Sequence, residues 1–254
     1  MFNLNLYKEK LLTNFFGQSI QYFPKLDSSN TKAWKLISEK VNNGTVVITD
    51  NQLKGRGRQA NKWNSIPGKS LTFSIILYPN VPPNQINLYS LIAGLAITDC
   101  LIENSFKAQL KWPNDILING KKIGGILCES KISEGVIKSM VIGIGLNINE
   151  RIDELPEKLQ NMATSLMIES GKRHQLETLL ANILNHLEHR IQDKDDTHLQ
   201  LIDWEERCTH LNQKVTFRSG NKTVTGIFKG LSSIGQAIIS KNGEEVIFDS
   251  GEIV

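Results

Sequence analysis

Two arginines alternate with two glycines in Gly55-Arg56-Gly57-Arg58, shortly after the β-branched run Thr45-Val46-Val47-Ile48-Thr49, a pattern suited to holding an anion. Glycine lets the backbone approach a ligand with its N–H groups free, and arginine offers a planar fork matched to carboxylate or phosphate oxygens. Lys54 and Lys62 extend the positive field, and Trp63 supplies an apolar anchor at the end of the segment. The competing reading is a surface loop that binds nothing, or one that touches a nucleic-acid backbone as disordered Arg/Gly segments do. Trp63 and the lack of further Arg/Gly repeats favour the edge of a pocket.

Lys111-Trp112-Pro113-Asn114-Asp115 stands at the entrance to an apolar strand. Proline fixes the turn, and the Asp115 carboxylate is of the type that holds Mg²⁺ against phosphates or orients a bound acid. Asn114 and Asp115 are equally an ordinary turn capped by their own side chains. Lys122 follows across the turn Asn119-Gly120, so a hairpin returns it towards Asp115. An ammonium held there would neutralise charge growing on a phosphate. Gly143-Ile144-Gly145-Leu146-Asn147 ends a strand with alternating glycines, either a bare floor for a flat ring such as adenine or tight packing against a helix. No six-residue glycine motif opens a helix there, so a Rossmann dinucleotide site does not fit.

The elements that must carry these groups follow from periodicity and punctuation. Residues 19–23 read as extended, and Asp27-Ser28-Ser29-Asn30 offers N-caps to a helix spaced by Ala33, Trp34, Ile37 and Val41. Residues 51–67 read as a long polar loop, 70–78 as a strand, and Pro82-Pro83 as the entry to a helix over about 84–103. Segments 107–111, 116–118, 122–130 and 137–148 suggest antiparallel strands. Helical spacing recurs over 157–169, 173–192 and 199–208, with 193–196 a solvated charged break. Short alternating stretches at 214–218, 222–229, 237–240 and 245–248, set off by glycine turns, suggest a small β-barrel-like domain.

At 254 residues the chain is large enough for one or two domains without a disulfide or metal staple. Its 40% hydrophobic and 22% charged content is ordinary for a globular protein, and a net charge of +3 is too small to argue for a nucleic-acid or membrane partner. Cys100, Cys128 and Cys208 lack metal-ligand spacing and read as reduced, mostly buried thiols; His174, His186, His189, His198 and His210 fall on late helical segments and read as surface residues. No targeting pattern and no stretch of membrane-span length is evident, which points to the cytoplasm.

In order and spacing these segments resemble the catalytic domain of biotin protein ligases, over most of the chain. Asp27-Ser28-Ser29-Asn30 is similar to the family's Ser-Thr-Asn turn, and Gln52 with Gly55-Arg56-Gly57-Arg58 and Trp63 to its signature loop. Lys111 to Asp115, Lys122 with Gly125-Ile126-Leu127, and Gly143 to Asn147 match in sequence. Ser29 stands where threonine is usual, Ala60 where glycine is, and Asn61 where arginine is, which removes one potential phosphate partner.

The resemblance implies an α+β fold: a central mixed β-sheet flanked by helices, related to class II aminoacyl-tRNA synthetases, over 1–210, and a small C-terminal SH3-like β-barrel over 211–254. It implies that Ser28, Ser29, Asn30 and Gln52 line a ureido pocket. Gly55, Arg56, Gly57, Arg58 and Trp63 would close over carboxylate and phosphate, with Lys111, Asn114 and Gly125 beside them. Lys122, Arg58 and Asp115 would be the catalytic residues, Lys122 contacting carboxylate or α-phosphate and Asp115 the metal, and Asn147 would face adenine. The implied activity is adenylation of biotin with ATP and Mg²⁺, then transfer to a lysine of a biotin carboxyl carrier protein of acetyl-CoA carboxylase or another carboxylase, with a homodimer possible. Family members that repress transcription carry an N-terminal helix-turn-helix, and about two dozen residues precede Ser28 here, so no DNA partner is expected. The rival readings are a lipoate or octanoate ligase of the same fold and a non-catalytic nucleic-acid-binding module.

Overall fold

A computed structural model describes residues 2–192, 197–220 and 222–253; the expected solvated break at 193–196 lies outside them. In chain order the elements are α1 (Leu4–Lys10), β1 (Ile20–Phe23), α2 (Ser29–Ser38), β2 (Val46–Thr49), β3 (Gly55–Arg56), β4 (Lys62–Trp63) and β5 (Leu71–Leu77). There follow α3 (Ile86–Glu103), β6 (Ala108–Lys111), β7 (Asp115–Ile118), β8 (Lys121–Ser133), β9 (Val136–Leu146), α4 (Leu166–Ser170), α5 (Leu176–Gln192) and α6 (Thr197–Glu206). The last are β10 (Lys214–Ser219), β11 (Lys222–Leu231), β12 (Ala237–Lys241), β13 (Glu244–Phe248) and β14 (Glu252–Ile253).

Seven strands form a mixed sheet in the order β1-β2-β5-β9-β8-β7-β6, parallel only between β1 and β2. Alternation along a strand sends successive side chains to opposite faces. On β5, Leu71, Phe73, Ile75 and Leu77 join the main core with Ile142, Ile144 and Leu146 of β9 and the buried residues of α3 and α5. The opposite face is apolar only at one end, where Ala33 and Leu36 of α2 cover Val47, Ile76 and Val141. Further along that face the chain places Ser74 against Gly143 and Thr72 against Gly145 in register. An apolar floor thus gives way to small and polar residues, and the cleft described below lies there.

Several expectations are corrected. The helix expected over 157–169 is a single 3₁₀ turn, Glu157–Leu159, and the short α4. Between them the chain is drawn into a bridge, Lys122 N–H donating to Met162 O (2.8 Å) and Thr164 N–H to Lys122 O (2.9 Å), which removes it from helical geometry. The loop over 51–67 contains the two-stranded hairpin β3–β4. The stretch 83–103 is in fact long and apolar enough to cross a membrane by length and composition, but half of its most apolar window is buried inside the protein. His210 is buried, not on the surface. The C-terminal strands form an antiparallel sheet, β13-β12-β11-β10-β14, and the closure of a barrel is not made among the described residues, β13 and the two-residue β14 remaining its edges. Cys100 is buried and Cys128 and Cys208 partly so, and all three thiols are free, pushed up to about 12 chiefly by burial.

Candidate active site

A cleft of ≈ 210 Å³ opens over the polar part of the sheet and gathers most of the residues singled out by sequence. One wall is the start of α2. Ser28 caps the helix, its Oγ accepting from Thr31 N–H at 3.4 Å, and this fixes the two residues after it. Gln52 Oε1 accepts from both the N–H (2.8 Å) and the hydroxyl (3.1 Å) of Ser29. Ser74 Oγ lies 2.8 Å from Ser29 Oγ and 2.6 Å from Asn30 Oδ1. Asn30 Nδ2 donates to Glu129 Oε2 (2.9 Å) and Leu127 O (3.3 Å). A Cβ at position 143 would sit 2.1 Å from Asn30 Oδ1, so glycine there makes room for the asparagine.

The roof is the hairpin β3–β4. A Cβ on Gly55 would lie 2.4 Å from Trp63 O and 2.6 Å from Gln52 Nε2, so the residue must be glycine for the strands to meet over Gln52. Trp63 lays its indole on Gly145, where a Cβ would be 2.4 Å from the ring. The glycine strand is therefore not a bare floor: Asn30 occupies one gap and Trp63 the other. Arg56 pairs with Glu129 (3.1 Å), and Arg58 Nη1 donates to Gly251 O (3.1 Å) beside β14. Burial holds the Arg58 guanidinium below its ordinary range, opposed by the charges of Asp115 and Glu252.

The far end of the cleft is ionic. A cis Trp112-Pro113 bond turns the chain from β6 into β7, and Asn114 is locked by Nδ2 donating to Ile126 O (2.6 Å) and its own carbonyl accepting from Ile126 N–H (3.0 Å). Asp115 faces Gly125 across the β7–β8 ladder. Lys122 lies beside Gly125, and its Nζ reaches Asp115 Oδ1 at 2.5 Å. Lys111 and Trp112 both line the cleft, and the Trp112 indole is tied to the C-terminal part of the chain, its Nε1–H donating to Gly235 O (3.2 Å) and its ring 5.4 Å from Phe217.

Gly55 and Asn147 do not line the cleft. Asn147 is buried, its amide donating to Thr164 O at 3.0 Å, so the adenine contact expected of it is not prepared in this geometry. Sequence reasoning missed Thr72, Ser74, Glu129 and the segment Gly251-Glu252-Ile253; strand alternation opposite Gly143 and Gly145 signals the first two. Trp63 Nε1 and Thr72 Oγ1, on two residues that line the cleft, are buried without a hydrogen-bond partner. Among the described residues no group of three His, Cys, Asp or Glu side chains could hold a metal ion. A single carboxylate such as Asp115 still meets the needs of Mg²⁺, which takes one or two carboxylates together with substrate phosphates.

Residues 22–147 match the biotin/lipoate A/B protein ligase family, and residues 210–254 match the biotin protein ligase C terminal domain. The chain is 33% identical over 236 residues to the bifunctional ligase/repressor BirA of Bacillus subtilis, covering 91% of this chain and 72% of that protein. It is 28% identical over 218 residues to the biotin--[acetyl-CoA-carboxylase] ligase of Mycobacterium tuberculosis, covering 83% and 79%. Its fold superposes on the biotin protein ligase of Aquifex aeolicus in complex with biotin and ATP with a TM-score of 0.79 and 29% identity, covering 93% and 98%.

Proposed function

The chain belongs to the biotin/lipoate A/B protein ligase family, and from that premise we propose that it adenylates biotin with ATP and transfers the acyl group to a lysine of a carrier protein. The observation that carries this reading is one cleft, under one hairpin, with a hydrogen-bonding wall at one end and Lys122, Arg58 and Asp115 at the other. A ureido ring has N–H and C=O groups that need polar partners once buried, and Ser29, Asn30 and Gln52 supply them. A lipoyl or octanoyl chain would leave that wall unmatched, which disfavours the related activities.

With the ring at the wall, the biotin carboxylate points towards Lys122 and Arg58. A carboxylate oxygen attacks the α-phosphorus of ATP in line, the new O–P bond forms, the bond to the bridging oxygen breaks, and pyrophosphate leaves with the electron pair. Lys122 and Arg58 balance the charge that grows on the phosphate, and Asp115 holds the Lys122 ammonium in place for it. Mg²⁺ accompanying ATP, held by Asp115 and the phosphates, would neutralise further charge. Trp63 and the hairpin keep water from the mixed anhydride. The unprotonated amine of the carrier lysine then attacks the acyl carbonyl, AMP departs, and the amide nitrogen loses a proton.

The partners on this reading are biotin, ATP and a biotin carboxyl carrier protein of acetyl-CoA carboxylase or another biotin-dependent carboxylase, met in the cytoplasm with neither DNA nor a membrane required. Residues 1–210 carry the chemistry and 211–254 complete the cleft wall. ATP–pyrophosphate exchange with biotin, lipoate, octanoate and no acid tests it: exchange with biotin alone is expected, and no exchange with any acid would overturn the adenylation mechanism.

A further inference from the structure

Glu129 lies on β8, outside the motifs of the site, yet it meets two separate elements that frame it, α2 and the roof hairpin. Its Oε2 accepts from Asn30 Nδ2 (2.9 Å) and Trp34 Nε1 (3.2 Å) on α2, and both its oxygens lie within 3.2 Å of Arg56 Nη2 on the roof hairpin. The carboxylate is three-quarters buried, with 26% of its side chain exposed, so these donors meet it in a setting where charge-assisted bonds are strong.

The polarity of the wall follows from this contact. A carboxylate only accepts, so Asn30 must turn its NH₂ towards Glu129 and its Oδ1 towards Ser74. Asn30 Oδ1 accepts but cannot donate, so Ser74 gives its single proton to that oxygen. Ser74 Oγ then has none to give Ser29, whose hydroxyl is left to donate to Gln52 Oε1 or to Ser74. Gln52 Oε1 also takes the Ser29 N–H, which leaves the Gln52 NH₂ end as the donor on offer. Arg56, held by the same carboxylate, brings the hairpin down over that ordered wall.

We infer that Glu129 is the positioning residue of this site, fixing the donor and acceptor pattern of the recognition wall through Asn30 and coupling it to closure of the hairpin through Arg56. The inference rests on the proposed ligase reading, because the wall's ligand is taken to be biotin. Glu129 touches no reacting atom and acts through its partners.

The test compares wild type, Glu129→Gln, Glu129→Ala, Arg56→Ala and the double variant Glu129→Gln/Arg56→Ala. The readouts are biotin-dependent ATP–pyrophosphate exchange, release of preformed biotinyl-adenylate, and thermal melting. Failure of the wild type to exchange with biotin sinks the ligase reading itself; the remaining outcomes concern Glu129. Glu129→Ala should raise the biotin KM about tenfold or more, the effect of losing a charged hydrogen bond, with the ATP KM within about twofold. Glu129→Gln retains an acceptor for Asn30 and Trp34 but not the charge, so it should keep the biotin KM within about threefold while releasing adenylate about as fast as Arg56→Ala, with no further effect in the double variant. A purely structural role would lower the active fraction and melting temperature while leaving the biotin KM and the adenylate release of the folded fraction unchanged. That result, or additive effects in the double variant, overturns the inference.

Discussion

Gly143→Ala puts the reading of the glycine strand at risk. An alanine Cβ would lie 2.1 Å from Asn30 Oδ1, where ordinary contact begins at 3.4 Å, so the amide must retreat by 1.3 Å or more (3.4 − 2.1) or the strand must shift. Either movement breaks the 2.6 Å bond from Ser74 and the 2.9 Å bond to Glu129. One neutral and one charge-assisted bond together amount to about 2–4 kcal/mol, divided between folding and ligand recognition. If half falls on recognition, the biotin KM rises about 5- to 30-fold. The folding share lowers Tm by about 2–4 °C for each kcal/mol in a chain of this length. Pyrophosphate exchange over separate biotin and ATP titrations reads the first quantity and a thermal melt the second. The ATP KM should stay within about twofold. An ATP KM that rises while that of biotin stays put would refute the reasoning and return the glycine strand to the role of adenine floor.

Lys122→Ala removes the ammonium beside Asp115 and should lower exchange by about 10²- to 10³-fold with little change in melting temperature; wild-type rates would remove Lys122 from the chemistry. Arg58→Ala cuts the bond to Gly251 O and should speed release of the adenylate by about tenfold, read by trapping released biotinyl-AMP. His210 is buried and its pKa is lowered to about 4, by burial first and Lys111 second. Between that value and the unfolded value near 6.5 only the unfolded state takes up the proton, so stability should fall as pH drops through this window, by about 3 kcal/mol in all. His210→Phe should flatten that part of the stability profile, measured by denaturant melts at pH 7, 5.5 and 4.

What the sequence disclosed was local. Ser28 and Asn30 sit in a capping pattern, and Lys122 and Asp115 lie either side of a glycine turn, so short-range geometry alone brings each group together. Ser74, Thr72 and Glu129 are ordinary strand residues by type, and their roles depend on α2 crossing β9, which no local pattern records. Asn147 shows the converse: it ends a conspicuous motif, yet the bridge between Lys122 and residues 162–164 turns its amide inward onto Thr164. The same bridge defeated the helical spacing over 157–169. His210 was misplaced because it lies in the turn after α6, where its ring packs against Phe228 of the C-terminal sheet, 4.3 Å away, and Trp204 of α6, 6.4 Å away.

Trp112 belongs by sequence to the turn that presents Asn114 and Asp115, but its indole is fastened in the C-terminal sheet, to Gly235 O and the Phe217 ring. The small sheet is therefore a poor interchangeable cassette. Exchanging it for the corresponding piece of a relative would unseat an aromatic that is only 2% exposed, and with it the turn three residues from the Lys122 partner. Chimaeras in this family should be cut so that the graft brings its own socket for the tryptophan.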